Sequence, residues 1–247
     1  MKSIQLKMIP RTSLRLPFAH FEVLQGLVYR MMSHDPALSE EVHDRAQQGG
    51  RQFKFFCFSD LHGRYRVENG KLVFRDEITW EIRSADDRII DAVEQFLKQH
   101  VSLSVYGTDC DVESFSVSHR SFDDGAYLIK MDTPILAYET AQDGYVTYYA
   151  PDEARFSEAV IRNMETKYCA LYGKQPLTPI VFAPLRVDGK NKCVTRYKKT
   201  LLTAHYGVYR LEAPGDMVAL AYHAGLGAKN SIGFGTIQRD IALEQSE

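Results

Sequence analysis

Hydrophobic and polar positions in the first half of the chain change period several times, which predicts strands and helices in mixed order. Residues 2–9 alternate polar and apolar side chains, as in a strand. After Pro17 apolar residues recur at helical spacing, and Asp35-Pro36 supplies the start signals of a second, short helix that ends near 47–50. The other elements predicted for this half are strands over 53–61 and 77–84, a hairpin over 64–74 turning at Asn69-Gly70, a helix over 86–100, and strands over 102–106 and 108–118.

A polar turn over 121–125 is the predicted domain boundary, because the order of elements roughly repeats after it. It divides the chain into residues 1–122 and 123–247. Each half mixes helices with strands, which is typical of small α+β sandwiches of the ferredoxin-like type, so two such domains are predicted. The elements predicted for the second half are strands over 126–133, 145–149, 179–187, 193–211 and 232–238, and helices over 152–172 and 215–225.

Composition narrows the class of protein but does not identify a function. Of the 247 residues, 45% are hydrophobic and 25% are charged, which is the balance of a soluble globular protein. No apolar run is long enough to cross a bilayer, and the alternating start predicts a strand and not a signal peptide. The four cysteines, Cys57, Cys110, Cys169 and Cys193, lie far apart, which disfavours a metal site or a disulfide framework. We therefore expect no metal and a cytoplasmic location.

Positive charge is concentrated in one segment, although the formal net charge is only −2. A near-neutral total argues mildly against a nucleic-acid partner. A local basic stripe can nevertheless track phosphates, with Arg196, Lys198 and Lys199 as the candidate contacts. A solvated, lysine-rich hairpin is the alternative interpretation. Between positions 186 and 199 the single acid Asp188 accompanies Arg186, Lys190, Lys192, Arg196, Lys198 and Lys199.

A glycine-rich segment near the C-terminus is the most informative part of the sequence. Glycine lets a backbone approach another chain closely, and free backbone N–H groups beside a lysine suit phosphate oxygens. The spacing fits neither a P-loop nor a dinucleotide-binding fingerprint. A glycine-rich turn packed against a neighbouring sheet is the competing interpretation. The segment consists of Gly225-Leu226-Gly227 and Gly233-Phe234-Gly235 on either side of a polar turn with Lys229, Asn230 and Ser231.

This segment resembles the C-terminal glycine-rich motif of the CRISPR RNA-processing endoribonucleases of the repeat-associated RAMP superfamily. Each glycine of the motif is present, and the segment lies near the C-terminus, as it does in that family. The stretch from Phe21 to Tyr29 is similar to the family's first helix, and the stretch from Lys54 to Ser59 to its following aromatic strand. The resemblance therefore includes both ends of the chain.

The resemblance implies two tandem ferredoxin-like, RRM-like domains and metal-independent cleavage of CRISPR repeat RNA, leaving a 5′-hydroxyl and a cyclic phosphate. It also implies three catalytic residues. His43 matches the family's general acid or base, Tyr29 its tyrosine on the preceding helix, and Lys54 its lysine that stabilises transition-state charge. The glycine segment would hold RNA or support the domain interface, through Gly225, Gly227, Lys229, Asn230, Ser231, Gly233 and Gly235.

Histidine suits proton transfer in this reaction because its pKa lies near neutrality, and the chain has eight histidines. His43 is predicted in the last turn of the short second helix, where a helix C-terminus favours the protonated form. Without the resemblance, the three residue types more often serve as a surface histidine, a core tyrosine and an edge-strand lysine. The other histidines considered are His34 as the alternative, His20 and His62 as reserves, and His205 and His223 as surface or interface residues of the second domain.

Two other functions compete with RNA cleavage. A non-catalytic guide-RNA-binding subunit of a CRISPR effector complex would keep the basic stripe and the glycine segment without needing the three catalytic residues. An unrelated small-molecule enzyme is disfavoured because the sequence has no nucleotide or metal motif. We expect CRISPR repeat RNA as the partner, effector-complex subunits as further partners, a monomer or homodimer, and no cofactor or membrane. Bases of single-stranded RNA would stack on exposed aromatic rings, whereas an RNA hairpin would lie on a basic groove. The candidate stacking residues are Tyr145, Tyr148, Tyr149 and Tyr197, although most tyrosines in such strands pack in the interior.

Overall fold

The structure is a computed structural model that describes residues 1–44 and 53–243. Its fold is α+β, with two ferredoxin-like domains in tandem. Within these ranges no helix combines the length and the apolar character that a membrane crossing requires. The N-terminal elements are β1 (Lys2–Pro10), β2 (Leu14–Pro17), α1 (Phe21–Met32), α2 (Pro36–Asp44), β3 (Phe56–Phe58), β4 (His62–Glu68), β5 (Lys71–Ser84), α3 (Asp87–Gln99), β6 (Ser102–Val105) and β7 (Thr108–His119).

The N-terminal sheet has the ferredoxin-like strand order. Strands β3, β5, β1 and β7 lie side by side in that order and are antiparallel. Side chains alternate across a strand, so Ile4 and Leu6 of β1 are fully buried in one core with Leu24 of α1 and Ile90 of α3. Lys7, between two buried positions of β1, is exposed on the opposite face. The helices therefore cover one face of the sheet and leave a polar face.

A two-residue turn at Asn69-Gly70 joins β4 to β5, as the sequence predicts. Both residues have positive φ angles, 51° and 70°, which the tightest hairpin turns require. The sequence predicts a hairpin arm followed by a separate strand over 77–84, but β5 is one strand of 14 residues. It continues because its first part pairs with β2 and β4 and its second part with β1 and β3.

The C-terminal domain repeats the same order, with β11, β14, β8 and β15 side by side. Helix α4 buries Phe156, Val160 and Met164 in the core of this domain, and α5 buries Met217 there. The C-terminal elements are β8 (Gly125–Lys130), β9 (Tyr138–Thr140), β10 (Val146–Tyr148), α4 (Ala154–Tyr172), β11 (Val181–Arg186), β12 (Lys192–Tyr197), β13 (Thr200–His205), β14 (Val208–Ala213), α5 (Gly215–Ala224) and β15 (Ala242–Leu243).

Two strand predictions for this domain are wrong. The segment 193–211 contains three strands, because the chain turns after β12 at Lys198 and after β13 at Gly207, both with positive φ. The segment 232–238 is not a strand. It follows a 3-10 turn and includes Gly233 and Gly235, whose φ angles of 96° and 75° interrupt an extended chain.

The two domains meet through hydrogen bonds from buried side chains to backbone carbonyls. Arg83 is 1% exposed, and its guanidinium donates to the Glu81 carboxylate and to the Ile237 carbonyl, both at 2.8 Å. The Thr236 hydroxyl donates to the Phe58 carbonyl at 2.7 Å. The charge of Arg83 is thus neutralised by Glu81 within the first domain, while its hydrogen bond to Ile237 connects it to the second domain. The domain boundary predicted after residue 122 falls between β7 and β8 and stays a prediction.

Candidate functional site

Tyr29 and Lys54, two of the residues predicted to be catalytic, lie in direct contact. Tyr29 is in the last turns of α1, and Lys54 precedes β3. Lys54 Nζ donates a hydrogen bond of 2.6 Å to Tyr29 Oη and lies 5.1 Å from the centroid of the tyrosine ring. Burial, followed by the neighbouring Tyr197, raises the pKa of Tyr29 to about 12. The phenol therefore keeps its proton at neutral pH, and in its contact with Lys54 its oxygen is the acceptor.

His43, the predicted acid or base, belongs to α2, which ends at Asp44. Its side chain and residues 45–52, which include the predicted end of this helix, lie outside the described residues. The catalytic role of His43 therefore stays a prediction. The helix begins as the sequence predicts, because the Leu38 N–H donates to the Asp35 carboxylate at 3.0 Å.

A cleft of about 380 Å³ opens between the two domains beside this pair. Lys54 lines it from the N-terminal domain, while Lys229, Ser231 and Tyr138 line it from the C-terminal domain. Lys229 Nζ lies 5.7 Å from the centroid of the Tyr138 ring. The cleft therefore has a cation on each side and an aromatic ring beside one of them. Such a lining suits a phosphodiester and its base.

The glycine segment forms one wall of the cleft, but its backbone is largely occupied. The N–H groups of Leu226, Ala228 and Gly235 donate to the carbonyls of Gly235, Leu136 and Pro134 at 2.8–2.9 Å. A Cβ atom at Gly235 would lie 1.9 Å from the Leu226 carbonyl oxygen, so this close approach requires glycine. The expected free N–H groups are therefore absent at these three positions.

Exposure divides the predicted RNA-binding residues of this segment into two groups. Lys229 is exposed and Ser231 is half-buried, whereas the others, Gly225, Gly227, Asn230, Gly233 and Gly235, are buried. RNA binding by the segment stays a prediction. The structure leaves Lys229 and Ser231 as the side chains that can reach RNA in the cleft.

A buried lysine that sequence reasoning missed holds the segment in place. Lys167 of α4 is 3% exposed, and its Nζ donates to the carbonyls of Gly225 and Gly227 at 2.6 and 3.1 Å and to Asn230 Oδ1 at 2.6 Å. Burial lowers the pKa of Lys167 to about 7, whereas three acceptor oxygens favour the ammonium form, which has three N–H donors. The available signal was a lysine three residues after Met164, on the apolar face of α4.

The basic stripe forms the exposed hairpin β12–β13 next to α1. Arg196, Lys198 and Lys199 are exposed, while Tyr197 points inward and donates to Gln25 Oε1 of α1 at 2.7 Å. Tyr197 also lines the cleft. The hairpin therefore places its positive charge beside the helix that carries Tyr29.

The tyrosines predicted to stack on bases differ in accessibility. Tyr145 is 69% exposed, and the partly exposed Tyr148 packs against Tyr138 with 5.8 Å between ring centroids. Tyr149 is only 3% exposed, and its hydroxyl donates to Glu139 at 2.6 Å. Its prediction as a stacking residue is wrong because the ring belongs to the second core.

His20, a reserve candidate, precedes α1 and lies roughly 13 Å along the helix axis from Tyr29. Its Nε2 is 2.7 Å from Asp60 Oδ1, and its Nδ1 is 3.1 Å from the Phe18 carbonyl oxygen. A ring with an oxygen acceptor at each nitrogen is satisfied only when both nitrogens are protonated. Burial lowers the pKa of His20, but the hydrogen bond and charge of Asp60 outweigh burial and raise it. His20 is therefore buried against Asp60 and does not line the cleft as a base.

The ion pair of His20 predicts a pH-dependent stability. Because the folded pKa lies above the unfolded value of about 6.5, its contribution is complete below that pH and is lost as the pH rises through the folded pKa. The melting-temperature difference between wild type and His20→Gln should therefore be largest near pH 6 and shrink towards pH 9. His119→Gln, at an exposed position, is the control and should show no such trend. A difference that is constant with pH would contradict the assignment.

Three further histidines, His62, His205 and His223, are paired or buried. His62 Nε2 lies 3.0 Å from Asp132 Oδ1, and the same carboxylate accepts the N–H of Asp60, so this group links the two domains. His205 and His223 are 5% and 0% exposed, which corrects their prediction as surface residues. His223 nevertheless lies at the domain interface, because its carbonyl faces Cys57 Sγ of the first domain at 3.5 Å. Burial lowers its pKa to about 4.

Comparisons with known proteins agree on one family. Residues 117–238 match the family model described as CRISPR associated protein Cas6, C-terminal. A Methanocaldococcus jannaschii protein named CRISPR-associated endoribonuclease Cas6 1 is 26% identical over 236 residues, which are 90% of this chain and 86% of that protein. The solved structure of a Cas6-related gene product from Pyrococcus furiosus is similar with a TM-score of 0.82 and 16% identity, covering 98% of this chain and 99% of that one. A solved RAMP protein binding different RNA substrates is similar with a TM-score of 0.80 and 16% identity, covering 96% and 99%.

Proposed function

Because the chain belongs to the Cas6 family, we propose that it is a metal-independent endoribonuclease that cuts CRISPR repeat RNA in precursor transcripts. The observation that carries the proposal is the 2.6 Å contact between Lys54 Nζ and Tyr29 Oη beside a cleft with Lys229 on its other wall. The endoribonuclease name of one relative and the RNA-binding title of one structural neighbour support this class of substrate.

The proposed reaction needs a base, an acid and a cation. The ribose 2′-oxygen attacks the adjacent phosphorus as the base removes its proton, and the bond from phosphorus to the 5′-oxygen breaks as the acid protonates that oxygen. The products are a 2′,3′-cyclic phosphate and a 5′-hydroxyl. His43 is assigned one of the two proton transfers. Lys54 offsets the negative charge that builds up at phosphorus, and Tyr29, protonated at neutral pH, donates a hydrogen bond to a phosphate oxygen.

RNA outside the reacting phosphate is proposed to pass over the cleft wall and the basic hairpin. Lys229 and Ser231 contact it in the cleft, and Arg196, Lys198 and Lys199 contact phosphates outside. The protein acts in the cytoplasm, as a monomer or homodimer, and passes its product to subunits of a CRISPR effector complex.

Repeat RNA from the source organism should be cut at one position when EDTA is present. The downstream product should accept phosphate from polynucleotide kinase without prior dephosphorylation, because its 5′ end is a hydroxyl. A 2′-deoxy nucleotide on the 5′ side of the cut should abolish cleavage and preserve binding, since the nucleophile is then missing. End-labelled RNA on a denaturing gel measures cleavage and the labelling of the product, and a native gel measures binding.

Three results would contradict the proposal. Cleavage that requires a divalent cation would contradict a metal-independent mechanism, and cleavage of the 2′-deoxy substrate would exclude attack by the 2′-oxygen. Tight binding with no cleavage would instead favour the non-catalytic guide-RNA-binding subunit.

A further inference from the structure

Three arginines surround a single glutamate on an exposed face of the N-terminal sheet. Glu68 lies 2.8 Å from Arg75 Nη2 and 3.4 Å from Arg15 Nη2. The hydrogen bond from Arg75, followed by the charges of Arg75, Arg15 and Arg66, lowers the pKa of Glu68. We call these four residues the arginine face. None of them lines the cleft beside Lys54.

Strand register explains why these side chains share one face. Arg66 of β4 and Arg15 of β2 both pair with Val73 of β5, from opposite sides, and paired residues point to the same face of a sheet. The adjacent residue Phe74 points to the other face and is buried in the core. Val73 is 1% exposed although it lies on the outer face, which fits coverage by the stems of the flanking arginines. Because Phe74 faces the core, the arginines on the alternate positions all face solvent on the same side of the sheet.

The arginine face carries more positive charge than its one glutamate neutralises. One carboxylate neutralises one guanidinium charge and leaves the other two uncompensated. Arg64, which lies on β4 with Arg66, is also exposed. Exposed ion pairs stabilise a fold by about 0–1 kcal/mol, so stability does not account for like charges on neighbouring strands. Farther along β5, Glu77 is paired with Lys7 at 3.2 Å. The excess is therefore confined to the part formed by β2, β4 and the start of β5.

We propose that the arginine face is a second RNA-contact surface that binds phosphates of the strand flanking the cleaved position. This inference rests on the proposed function and extends it from the cleft to the N-terminal sheet. Guanidinium groups bind phosphate oxygens through paired, charge-assisted hydrogen bonds. Because these arginines lie on a sheet, their backbone is already ordered before RNA binds. In the absence of RNA the Glu68 carboxylate binds the guanidinium groups, and RNA phosphates compete with it for them.

Two opposite charge changes test the proposal. Arg15→Gln/Arg66→Gln should weaken binding of a labelled repeat RNA that carries both flanks, and should reduce the slope of log affinity against log salt by about 1.4 for single-stranded RNA. Glu68→Gln should tighten binding to the same RNA, because it removes the competing carboxylate. Neither change should affect a short RNA restricted to the nucleotides around the cut. Fluorescence anisotropy across a salt series measures these affinities.

A matched control and the contrary outcomes separate this proposal from simpler explanations. Arg11→Gln/Lys98→Gln removes two exposed cations elsewhere, each paired with a carboxylate, and should leave the slope unchanged. If Glu68→Gln weakens binding as the arginine variant does, the face is only structural and the proposal is wrong. If neither variant changes binding to the long RNA, the proposal is also wrong, and an acidic protein surface becomes the ligand to test. Cleavage of the short RNA by wild type tests the proposed function independently of both variants.

Discussion

Replacing His43 with alanine is expected to slow cleavage of repeat RNA by about two to four orders of magnitude and to leave RNA binding largely unchanged. The reason is that proton transfer lowers the energy of the transition state, whereas the ground-state complex is held by phosphate contacts elsewhere. Single-turnover rates at saturating protein, with EDTA, measure the chemical step. Affinity is measured separately with the 2′-deoxy RNA, which binds without being cut.

His34→Ala is the matched control for this prediction. His34 is exposed at the junction of α1 and α2, and its Nε2 lies 3.4 Å from Gln99 Nε2. If His43 is the acid or base, this variant should cut at close to the wild-type rate. A large loss with His34→Ala and none with His43→Ala would move the proton-transfer role to His34. Normal cleavage by both variants would show that neither histidine transfers the proton.

Local signals predicted the fold well wherever they agreed with the tertiary environment. Asp35 and Asp86 cap their helices through hydrogen bonds to backbone N–H groups, and Asn69-Gly70 forms the turn it is typical of. The segment 232–238 was wrongly predicted as a strand because apolar residues alternate with glycine at its start. Residues 232–237 are instead all buried in a loop, and only contacts distant in sequence distinguish this case from a strand.

The candidate site was predictable only in part. The resemblance identified Tyr29 and Lys54, which lie 25 residues apart and yet form a hydrogen bond. It did not identify Lys167, because the partners of this lysine lie 58 to 63 residues away and are brought to it by the packing of α4 against the glycine segment. The arginine face was also missed. It depends on the register of three strands, and β2 was not predicted from the sequence.

Replacing Lys167 with methionine is expected to lower the free energy of unfolding by about 3 to 5 kcal/mol. Methionine fills a similar volume, so the loss comes from two backbone carbonyls and the Asn230 amide oxygen, which lose their donor inside the protein. At about 2 to 4 °C per kcal/mol for a chain of this size, the melting temperature should fall by roughly 6 to 20 °C. Thermal melts followed by circular dichroism measure it.

Lys174→Met is the control for Lys167→Met, because Lys174 follows the same helix but is exposed. The free energy of unfolding of this variant should differ from that of wild type by no more than about 0.5 kcal/mol. A double-mutant cycle with Asn230→Leu isolates the bond between the two side chains, since residues of one buried network are not additive. If the two changes simply add, Lys167 does not hold the loop through Asn230. If Lys167→Met melts like wild type, the wall that carries Lys229 must be held by glycine packing alone, and the buried ammonium makes no net contribution to it.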